Sequence, residues 1–467
     1  MKPNFLKKLN PLNLLKKKDG KSGQGAEAED QNHYLSGKEI RQIAKENSVI
    51  MRRLEKEKYR KADEAEFLAE MKKEENILEI EDLHSYFFTD QGVVKAVNGV
   101  SFEIPQGKVL GVVGESGCGK SVTSMSIMRL LQGPQGQIYS GSIRFKSFDF
   151  KRDENGNVIP VYEYDENGAP VMEEVTDKKG NVKRDEAGNP VLRQKQKRDE
   201  YGTRQYEMEE KTFDIAKMPI KEMHRLRGRQ IAMIFQEPMT SLNPVFTIGN
   251  QLDEVTLLHV PDATKAEAKE RSIDMLKLVG IAMPERVYKS YPHELSGGMR
   301  QRVMIAMALA GNPRLIIADE PTTALDVTIQ AQVLDLLRGL KDRINGSILL
   351  ITHDLGVIAE MADYVVVMYA GRVIEQGTAS EIFHHPMHPY TIGLQKSKPT
   401  INQSSKKLFN IPGNVPNPVD MPNFCYFSER CTCREEKCKG DYPGMVQVSP
   451  THWVACHLYS EEAKDER

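Results

Sequence analysis

Short apolar runs separated by polar stretches dominate the hydrophobic pattern of this chain of 467 residues. Residues 109–113, 315–318 and 364–370 are apolar over the length of a strand. Continuous apolar runs of this length favour parallel strands that are buried on both faces of a sheet. Helical stretches alternate with them, so the pattern predicts an α/β fold that begins near Ile77 and resumes, after a long polar segment, near Phe213.

Changes of composition divide the chain into six segments. One of them is dense in Glu, Lys and Arg, with Ile40, Ile43, Ile50 and Leu54 at roughly helical spacing. The predicted organisation is a basic polar tail (1–36), a charged helix (37–76), a first part of the α/β domain (77–145), an insertion (146–212), a second part of the domain (213–390) and a C-terminal region (391–467).

The insertion repeats a short polar unit that contains a turn. The units begin at Asp153, Asp165, Asp177, Asp185 and Asp199, and each reaches a glycine three residues later. Glycine in such a unit favours tight hairpin turns because it accepts positive φ. We expect a β-hairpin array or a partly disordered arm, and the uneven spacing and heavy charge argue against a regular solenoid.

The charge, the hydropathy and the cysteine content of the chain disfavour several classes of protein. The formal net charge of −2 gives no basic excess, which disfavours nucleic acid as a partner. No apolar run approaches the roughly 18 residues that cross a bilayer, and residues 1–21 lack the pattern of a secretory signal. We therefore expect a cytosolic chain. Five of its six cysteines lie between Cys425 and Cys456, and in the cytosol such a group favours metal over disulfides.

The most specific motif is GESGCGKS at 114–121, which follows the apolar run 109–113 and precedes a helical stretch at 122–131. This strand–loop–helix context is typical of a phosphate-binding loop. Backbone N–H groups of the glycine loop surround the phosphates, and the helix N-terminus adds a favourable dipole. We expect Lys120 to contact the β- and γ-phosphates and the Ser121 hydroxyl to ligate Mg²⁺.

A second motif, LIIADE at 315–320, places two acids at the end of an apolar strand. Ligands of open α/β sheets bind at the carboxyl ends of the strands. We expect Asp319 to hold Mg²⁺, directly or through water, and Glu320 to polarise the attacking water as general base. Without other motifs, an apolar run that ends in Asp-Glu would indicate only a strand followed by its loop. Because the chain also has a phosphate-binding loop, we interpret the two acids as catalytic.

A third motif, LSGGM at 295–299, precedes a helical run to Ala310. Its glycines let the backbone approach a phosphate, and the helix supplies a positive end. LSGGx is the signature of the ABC ATPase family, which this chain resembles. The resemblance implies a RecA-like core with an antiparallel β subdomain and a helical subdomain. It also implies a head-to-tail dimer, in which the signature completes the nucleotide site of the opposite subunit.

Other positions follow in the order of that family. Gln236 resembles the Q-loop residue that senses the membrane subunits, residues 324–326 resemble the D-loop, and His353 resembles the switch histidine. Phe87 is the choice for the aromatic ring that stacks on adenine, with Tyr86 as its competitor. The gap between the phosphate loop and Gln236 is longer than usual, and the insertion accounts for it if it projects from the edge of the sheet.

The resemblance assigns three sets of site residues. The catalytic residues are Lys120, Glu320 and His353. The nucleotide contacts are Phe87, Gly114, Glu115, Ser116, Gly117, Cys118, Gly119, Lys120, Ser121, Val122, Gln236, Ser296, Gly297 and Gly298. The Mg²⁺ contacts are Ser121, Gln236 and Asp319.

A finer resemblance is to the D-type ATPase subunit of bacterial oligopeptide and dipeptide permeases. It rests on residues 227–244 (RGRQIAMIFQEPMTSLNP), on HPYT at 388–391 and on the C-terminal cysteines, and it spans roughly 78–145 and 215–458. The extended N-terminus and the insertion lie outside it.

Some members of that family hold a [4Fe–4S] cluster in the C-terminal region. The resemblance therefore implies a metal bound by the thiols of Cys425, Cys431, Cys438 and Cys456. Cys433 is the alternative to Cys431 in this set. Zinc is the alternative metal because Cys₄ sites bind it readily.

The function implied is ATP hydrolysis for an importer of oligopeptides or dipeptides, at the cytoplasmic face of the cell membrane as a peripheral subunit. The implied partners are a second, related ATPase subunit, two membrane permease subunits and, indirectly, an extracellular peptide-binding protein. Nickel or glutathione import remains an open alternative.

A soluble ABC ATPase of translation or DNA repair is the alternative from another class. Translation-type members usually carry two cassettes, whereas this chain has one set of motifs. Repair-type members carry a long coiled coil, which the glycines and prolines of the insertion exclude. A scaffold that binds ATP without turnover is disfavoured by Lys120, Glu320 and His353.

Overall fold

The computed structural model describes residues 36–175, 181–198, 202, 204–236, 241–322, 327–344, 346–397, 409–419, 421 and 423–460. The strands are β1 (Asn76–Phe88), β2 (Val93–Pro105), β3 (Val109–Val113), β4 (Gly136–Phe150), β5 (Met172–Glu174), β6 (Leu192–Gln194), β7 (Met208–Asp214), β8 (Ile231–Ile234), β9 (Leu315–Asp319), β10 (Ser347–Ile351), β11 (Tyr364–Tyr369), β12 (Arg372–Thr378), β13 (Val446–Gln447) and β14 (Trp453–Val454).

The α-helices are α1 (Gly37–Lys58), α2 (Lys120–Ile127), α3 (Ile248–His259), α4 (Lys265–Leu278), α5 (Pro284–Lys289), α6 (Gly297–Ala310), α7 (Val327–Ile344), α8 (Leu355–Met361), α9 (Ala379–His384) and α10 (Pro389–Lys396). Among the residues described, none of these helices has the length and apolar character needed to cross a membrane.

The core sheet has eight strands in the order β13-β14-β12-β11-β3-β10-β9-β8. The strands from β11 to β8 run parallel, and β12 turns back antiparallel to β11. Strands β3, β9 and β10 are buried at every position, and for β3 and β9 the apolar runs 109–113 and 315–318 predicted this burial. Because the carboxyl ends of parallel strands share one edge, the loops after β3, β8, β9 and β10 meet there.

A second, antiparallel sheet has the order β2-β1-β4-β7. Its buried residues, Ile104 and Phe145 among them, join one core cluster with Leu110, Ile317 and Leu349 of the parallel sheet. The other face of the parallel sheet belongs to a cluster with helical residues of α3, α4 and α6. The core sheet therefore lies between the antiparallel sheet and the helices.

The charged helix is shorter than the predicted range 37–76. Helix α1 starts at a capping box, in which Ser36 and Glu39 bond to each other's backbone, and it ends at Lys58. Leu54 is buried against Tyr86 and Phe88 of β1, so the apolar stripe packs on the antiparallel sheet. The remaining residues up to strand β1 form a 3₁₀ turn, an isolated bridge at Leu68 and irregular turns, and the helical apolar spacing stops at Leu54.

The insertion extends from the end of the β4–β7 pair, whose last partners are Phe150 and Met208. We call its residues 151–207 the arm. Lys151 N–H donates to the carbonyl of Glu207 (2.9 Å), Glu207 N–H to Ile159 (2.8 Å), and Ile159 N–H to Lys151 (3.1 Å). The same closed ring of three bonds recurs at Val161, Lys197 and Gln205, at Glu163, Val171 and Lys195, and at Val175, Lys183 and Val191. Each ring satisfies its backbone groups, so at these levels the arm has no open edge.

Turns built on aspartate connect the segments of the arm. Asp153 Oδ1 accepts hydrogen bonds from the backbone of Asn155 (2.9 Å) and Asn157 (2.8 Å), and Gly156 has φ +82°. The same pattern recurs at Asp165 and Asp185. Glycine fits the left-handed position at little cost, which explains the repeated polar unit of the sequence.

The arm contacts the helices that pack on the core sheet, at the start of α4. Arg198 and Arg204 both pair with Glu267 Oε1, at 2.9 and 3.3 Å. The Tyr206 hydroxyl donates to the carbonyl of Pro261 (2.8 Å). The arm therefore spans from the antiparallel sheet to the helices.

The C-terminal region returns to the core sheet. Strand β14 pairs antiparallel with β12, with Glu375 opposite Val454. His452 Nε2 lies 2.8 Å from Glu375 Oε1, and both side chains are buried. Lys95 N–H also donates to the carbonyl of Pro418 (3.0 Å), which ties the region to β2.

Candidate nucleotide site

The phosphate loop joins β3 to α2, and close packing fixes its glycines. Gly119 has φ +98°, and a Cβ at this position would lie 2.3 Å from the carbonyl oxygen of Ala96. A Cβ at Gly114 would lie 2.2 Å from the carbonyl oxygen of Met368. A Cβ at Gly117 would meet no atom within 4 Å, so this side of the loop is open. The loop thus packs tightly on strands β2 and β11 and leaves room for a ligand on its outer side.

Lys120 lies at the centre of this loop. Its Nζ donates to the carbonyl oxygens of Gly114 (2.8 Å) and Glu115 (3.0 Å), and the residue is only 5% exposed. An ammonium held among backbone groups in this way is placed to meet the phosphates of a nucleotide.

Ser121 and Asp319 are brought together from α2 and the end of β9. Asp319 accepts hydrogen bonds from the hydroxyls of Ser121 (3.0 Å) and Ser124 (3.2 Å). Burial raises the pKa of Asp319, which means that the charged carboxylate is disfavoured without a cation nearby. A hydroxyl and a carboxylate are oxygen ligands of the kind that Mg²⁺ takes, so these residues fit the predicted ion. Ser124 is an additional contact that the sequence motif did not indicate.

Glu320 lies between two of the predicted site residues. Gln236 Nε2 donates to Glu320 Oε2 (2.8 Å), and His353 Nδ1 lies 3.1 Å from Glu320 Oε1. Glu320 has φ +48°, and its N–H donates to the carbonyl of Ile351 (2.8 Å). A non-glycine residue held in this conformation is typical of a functional position. Gln236 therefore contacts the second acid of the motif, in addition to its predicted approach to Mg²⁺.

Glu115 and Cys118 have clear structural contacts within the loop. Cys118 is 1% exposed, and burial raises the pKa of its thiol. Glu115 forms a two-point ion pair with Arg430, Nη1 to Oε2 at 2.9 Å and Nη2 to Oε1 at 3.1 Å. Its N–H donates to the hydroxyl of Tyr390 (2.8 Å).

Arg430 and Tyr390 are contacts of the phosphate loop that sequence reasoning missed. Tyr390 belongs to the HPYT segment, which supports only the family resemblance, and no prediction concerns Arg430, which precedes Cys431. Ser116 and Val122 lie in the loop and in the first turn of α2, where the motif predicts them.

The two candidates for the adenine ring differ in exposure. Tyr86 is buried, stacks on Tyr139 with ring centroids 5.1 Å apart, and donates its hydroxyl proton to Asn98 (2.9 Å). Phe87 is half-buried on β1 opposite Val94. The structure thus leaves Phe87 more accessible than Tyr86.

The signature residues lie at the start of α6. Ser296 caps this helix and accepts a hydrogen bond from the N–H of Met299 (3.4 Å). Ser296 and Gly297 are exposed and Gly298 is half-buried. The predicted D-loop at 324–326 lies outside the described residues.

The four predicted thiols lie in one region of the C-terminal segment. Burial, together with a smaller effect of the neighbouring thiols, raises the pKa of Cys456 to about 12 and that of Cys425 to about 11. Cys438 is buried, Cys431 is half-buried and Cys433 is exposed. Over the described ranges, nevertheless, no three His, Cys, Asp or Glu side chains form a group that could hold a metal ion.

Two parts of the chain match known protein families. Residues 97–323 match the family described as "ABC transporter", and residues 374–438 match "Oligopeptide/dipeptide transporter, C-terminal region". A solved dimeric ATP-binding cassette bound to ADP and Pi matches with a TM-score of 0.46 and 20% identity, over 65% of this chain and 98% of that chain.

Curated relatives cover most of the chain. The oligopeptide transport ATP-binding protein AppD of Bacillus subtilis is 42% identical over 390 residues, which are 84% of this chain and 99% of AppD. The oligopeptide transport ATP-binding protein OppD of the same organism is 42% identical, over 83% of this chain and 90% of OppD. The dipeptide transport ATP-binding protein DppD of Bacillus subtilis is 40% identical, over 84% of this chain and 97% of DppD. With these relatives, the chain belongs to the family of ABC transporter ATP-binding proteins: it has the cassette fold, binds ATP and hydrolyses it.

Proposed function

We propose that this chain is the ATP-hydrolysing subunit of an importer of oligopeptides or dipeptides. The arrangement of Glu320 between Gln236 and His353, beside the phosphate loop, is the observation that carries the catalytic part. The peptide substrate is supported by the match of residues 374–438 and by AppD and DppD, whose names state oligopeptide and dipeptide transport.

In the proposed site the chain's own groups hold the triphosphate. The backbone of the loop 114–122, other than the Glu115 N–H that donates to Tyr390, and the ammonium of Lys120 bind the phosphates, and Phe87 stacks on adenine. Ser121, Asp319 and Gln236 would hold Mg²⁺. When bound, Mg²⁺ neutralises charge that develops on the phosphate oxygens.

Glu320 acts as the general base that accepts a proton from the attacking water. Gln236 orients one carboxylate oxygen at 2.8 Å, and His353 lies beside the other at 3.1 Å. His353 is 63% exposed at its side chain, which leaves its ring free to reach the γ-phosphate.

We further propose that the nucleotide is enclosed by two subunits. The exposure of Ser296 and Gly297 supports this arrangement, because these groups are accessible to a second ATPase subunit. Closure would act through the Q-loop on two permease subunits at the cytoplasmic face of the membrane, with peptide delivered by an extracellular binding protein.

The test compares Glu320→Gln with the exposed control Glu166→Gln in the arm. We expect Glu320→Gln to lower ATP turnover by about a hundredfold or more while ATP binding persists, because only the base is removed. Source cells with this variant should lose uptake of labelled di- and oligopeptides, with the protein still at the membrane. Normal turnover would contradict the role of Glu320. Lost turnover with normal peptide uptake would contradict the substrate, and nickel and glutathione uptake would then be measured.

We also propose that Cys425, Cys431, Cys438 and Cys456 hold a [4Fe–4S] cluster, with zinc as the alternative. The support is the thiol set and the raised pKa values of Cys456 and Cys425, which burial and, to a lesser extent, neighbouring thiols cause and which a bound cation would reverse. Iron, sulfide and zinc would be counted in anaerobically purified protein, with Cys438→Ser as the test and the exposed Cys433→Ser as the control. Metal-free protein with normal peptide-dependent turnover would contradict this site.

For the fold, we propose that residues 146–212 are an inserted module and residues 391–467 a separate C-terminal module of the cassette. Their independent contacts support this division: the arm contacts α4, whereas the C-terminal region contacts β12 and β2.

A further inference from the structure

Arg430 connects the C-terminal region to the phosphate loop. Its guanidinium meets both carboxylate oxygens of Glu115, at 2.9 and 3.1 Å. The arginine side chain is 6% exposed and that of Glu115 is 27% exposed. A two-point pair between planar groups fixes orientation as well as distance. The loop that binds the phosphates is therefore held at its second residue by a group from far along the chain.

Arg430 is itself held in place before it reaches Glu115. Its Nε donates to the carbonyl of Pro412 (2.9 Å), and its Nη1 lies 3.4 Å from the Tyr369 hydroxyl. The N–H of Arg430 donates to the carbonyl of Phe427 (3.0 Å), in a turn between Cys425 and Cys431. These contacts fix the position of the guanidinium within the protein, so its pairing with Glu115 is not a chance contact of a mobile surface side chain.

Tyr390 adds a second contact to the same residue of the loop. Its buried hydroxyl accepts the N–H of Glu115 at 2.8 Å. The ring packs with Tyr369 and Phe427, at centroid distances of 4.8 and 5.5 Å. Since this N–H is turned toward Tyr390, it does not face the nucleotide. Both the backbone and the side chain of Glu115 are therefore directed into the C-terminal region.

The charge of Glu115 gives this contact a consequence for binding. A carboxylate in a loop that binds a polyphosphate repels its ligand, and the repulsion is strong where water is excluded. Arg430 neutralises that carboxylate and holds it on the side of the C-terminal region. We propose that Arg430 is a positioning residue of the ATP site, which keeps the charge of Glu115 from opposing the phosphates. This inference rests on the proposed nucleotide site at residues 114–121.

The test measures the affinity of the full chain for a slowly hydrolysed ATP analogue and for adenosine. We expect Arg430→Met to weaken binding of the ATP analogue about tenfold at low salt, and less at high salt, since the repulsion is electrostatic. Adenosine, which has no phosphates, should bind each variant equally. The exposed Arg434→Met is the matched control and should leave both affinities unchanged.

The double variant separates charge from folding. If Arg430 acts by neutralising Glu115, Glu115→Gln combined with Arg430→Met should restore affinity for the ATP analogue to within about threefold of the original chain. Glu115→Gln alone should bind the analogue as tightly or more tightly. A double variant as weak as Arg430→Met, or a Glu115→Gln variant that binds tenfold more weakly, would overturn the inference.

Two further results keep the test decisive. If Arg430→Met does not fold, Glu115→Gln still carries the test, because a purely structural pair predicts weaker binding and the charge argument does not. If the original chain binds the analogue no better than Lys120→Ala, the proposed nucleotide site fails. If the original chain binds and Arg430→Met binds equally well, only the present inference fails.

Discussion

The arm and the C-terminal region are both attached to the same cassette, but by contacts of different kinds. The C-terminal region is anchored by His452 and Glu375, whose side chains are 4% and 0% exposed. The arm is anchored by Arg198 and Arg204 on Glu267, whose side chains are 40%, 19% and 23% exposed. Ion pairs in water contribute little, whereas loss of one partner of a buried polar pair leaves the other without water or a partner.

This difference indicates how tightly each region is coupled to the catalytic core. Glu375 also accepts the N–H groups of Met387 (2.7 Å) and His388 (3.0 Å), just before the helix that carries Tyr390. From Tyr390 the contacts continue to Glu115 of the phosphate loop. The arm, in contrast, pairs with Glu267 at the start of α4. We therefore expect changes in the C-terminal anchor to affect the whole fold, and changes in the arm to remain local.

The largest effect is expected at the buried anchor. Glu375→Ala removes the acceptor of His452 and of two backbone N–H groups, and should lower the free energy of unfolding by about 3–5 kcal/mol. Urea unfolding of the original chain and of the variant measures this difference in the free energy of unfolding. The control is Glu360→Ala, whose ion pair with Arg338 is exposed (57% and 45%) and should cost less than about 1 kcal/mol. Equal small losses for both variants would remove the contrast between the two regions.

A pH dependence should follow from His388, whose N–H donates to Glu375 of this anchor. Burial lowers its pKa from 6.5 to about 4, opposed by the nearby Glu375. Its Nδ1 accepts the N–H of Tyr390 (3.0 Å), which requires the neutral ring. The unfolded chain binds a proton below pH 6.5 and the folded chain only near pH 4, so stability falls as the pH falls through this window.

The loss between pH 7 and pH 5 should be about 2 kcal/mol in the free energy of unfolding. His388→Asn keeps an acceptor at the helix N-terminus but does not titrate, and should lack this part of the pH dependence. The two chains would be compared by urea unfolding at both pH values. Parallel pH profiles would show that His388 does not titrate differently in the folded and unfolded chains.

The strands and loops of the nucleotide site could be predicted from sequence because each signal is local. The apolar runs before Gly114 and Asp319 set the strands, and the glycines set the loop. The predicted helix at 122–131 begins earlier, at Lys120, because the loop glycine Gly119 caps it directly.

The contacts of Arg430 and Tyr390 could not be predicted in this way. Arg430 is 315 residues from Glu115, and Tyr390 is 275 residues away. No spacing rule joins such positions, since the fold alone brings them together. In the arm, the turn units were visible in the sequence, but the closed rings of hydrogen bonds were not. Their strand segments are short and polar, and the uneven spacing of the turns concealed the pairing between them.

Removal of the arm should have a smaller effect than Glu375→Ala or the protonation of His388. Phe150 and Met208 are cross-strand partners, so a short glycine-containing turn can join them in place of residues 151–207. We expect ATP turnover to persist and the free energy of unfolding of the cassette to change by about 1 kcal/mol, because the ion pairs lost are exposed. Loss of turnover in a folded variant would show that the arm acts on the catalytic core.

The smallest effect is expected at the contact of the arm with α4. Glu267→Gln removes the charge that Arg198 and Arg204 share, but keeps an oxygen that caps the helix at Thr264. It should lower the free energy of unfolding by about 0.5 kcal/mol, and by less at high salt. Proteolysis of the folded protein would show whether the arm becomes easier to cleave. A loss as large as that of Glu375→Ala would mean that the arm is coupled to the core as strongly as the C-terminal region, since an isolated exposed pair cannot account for it.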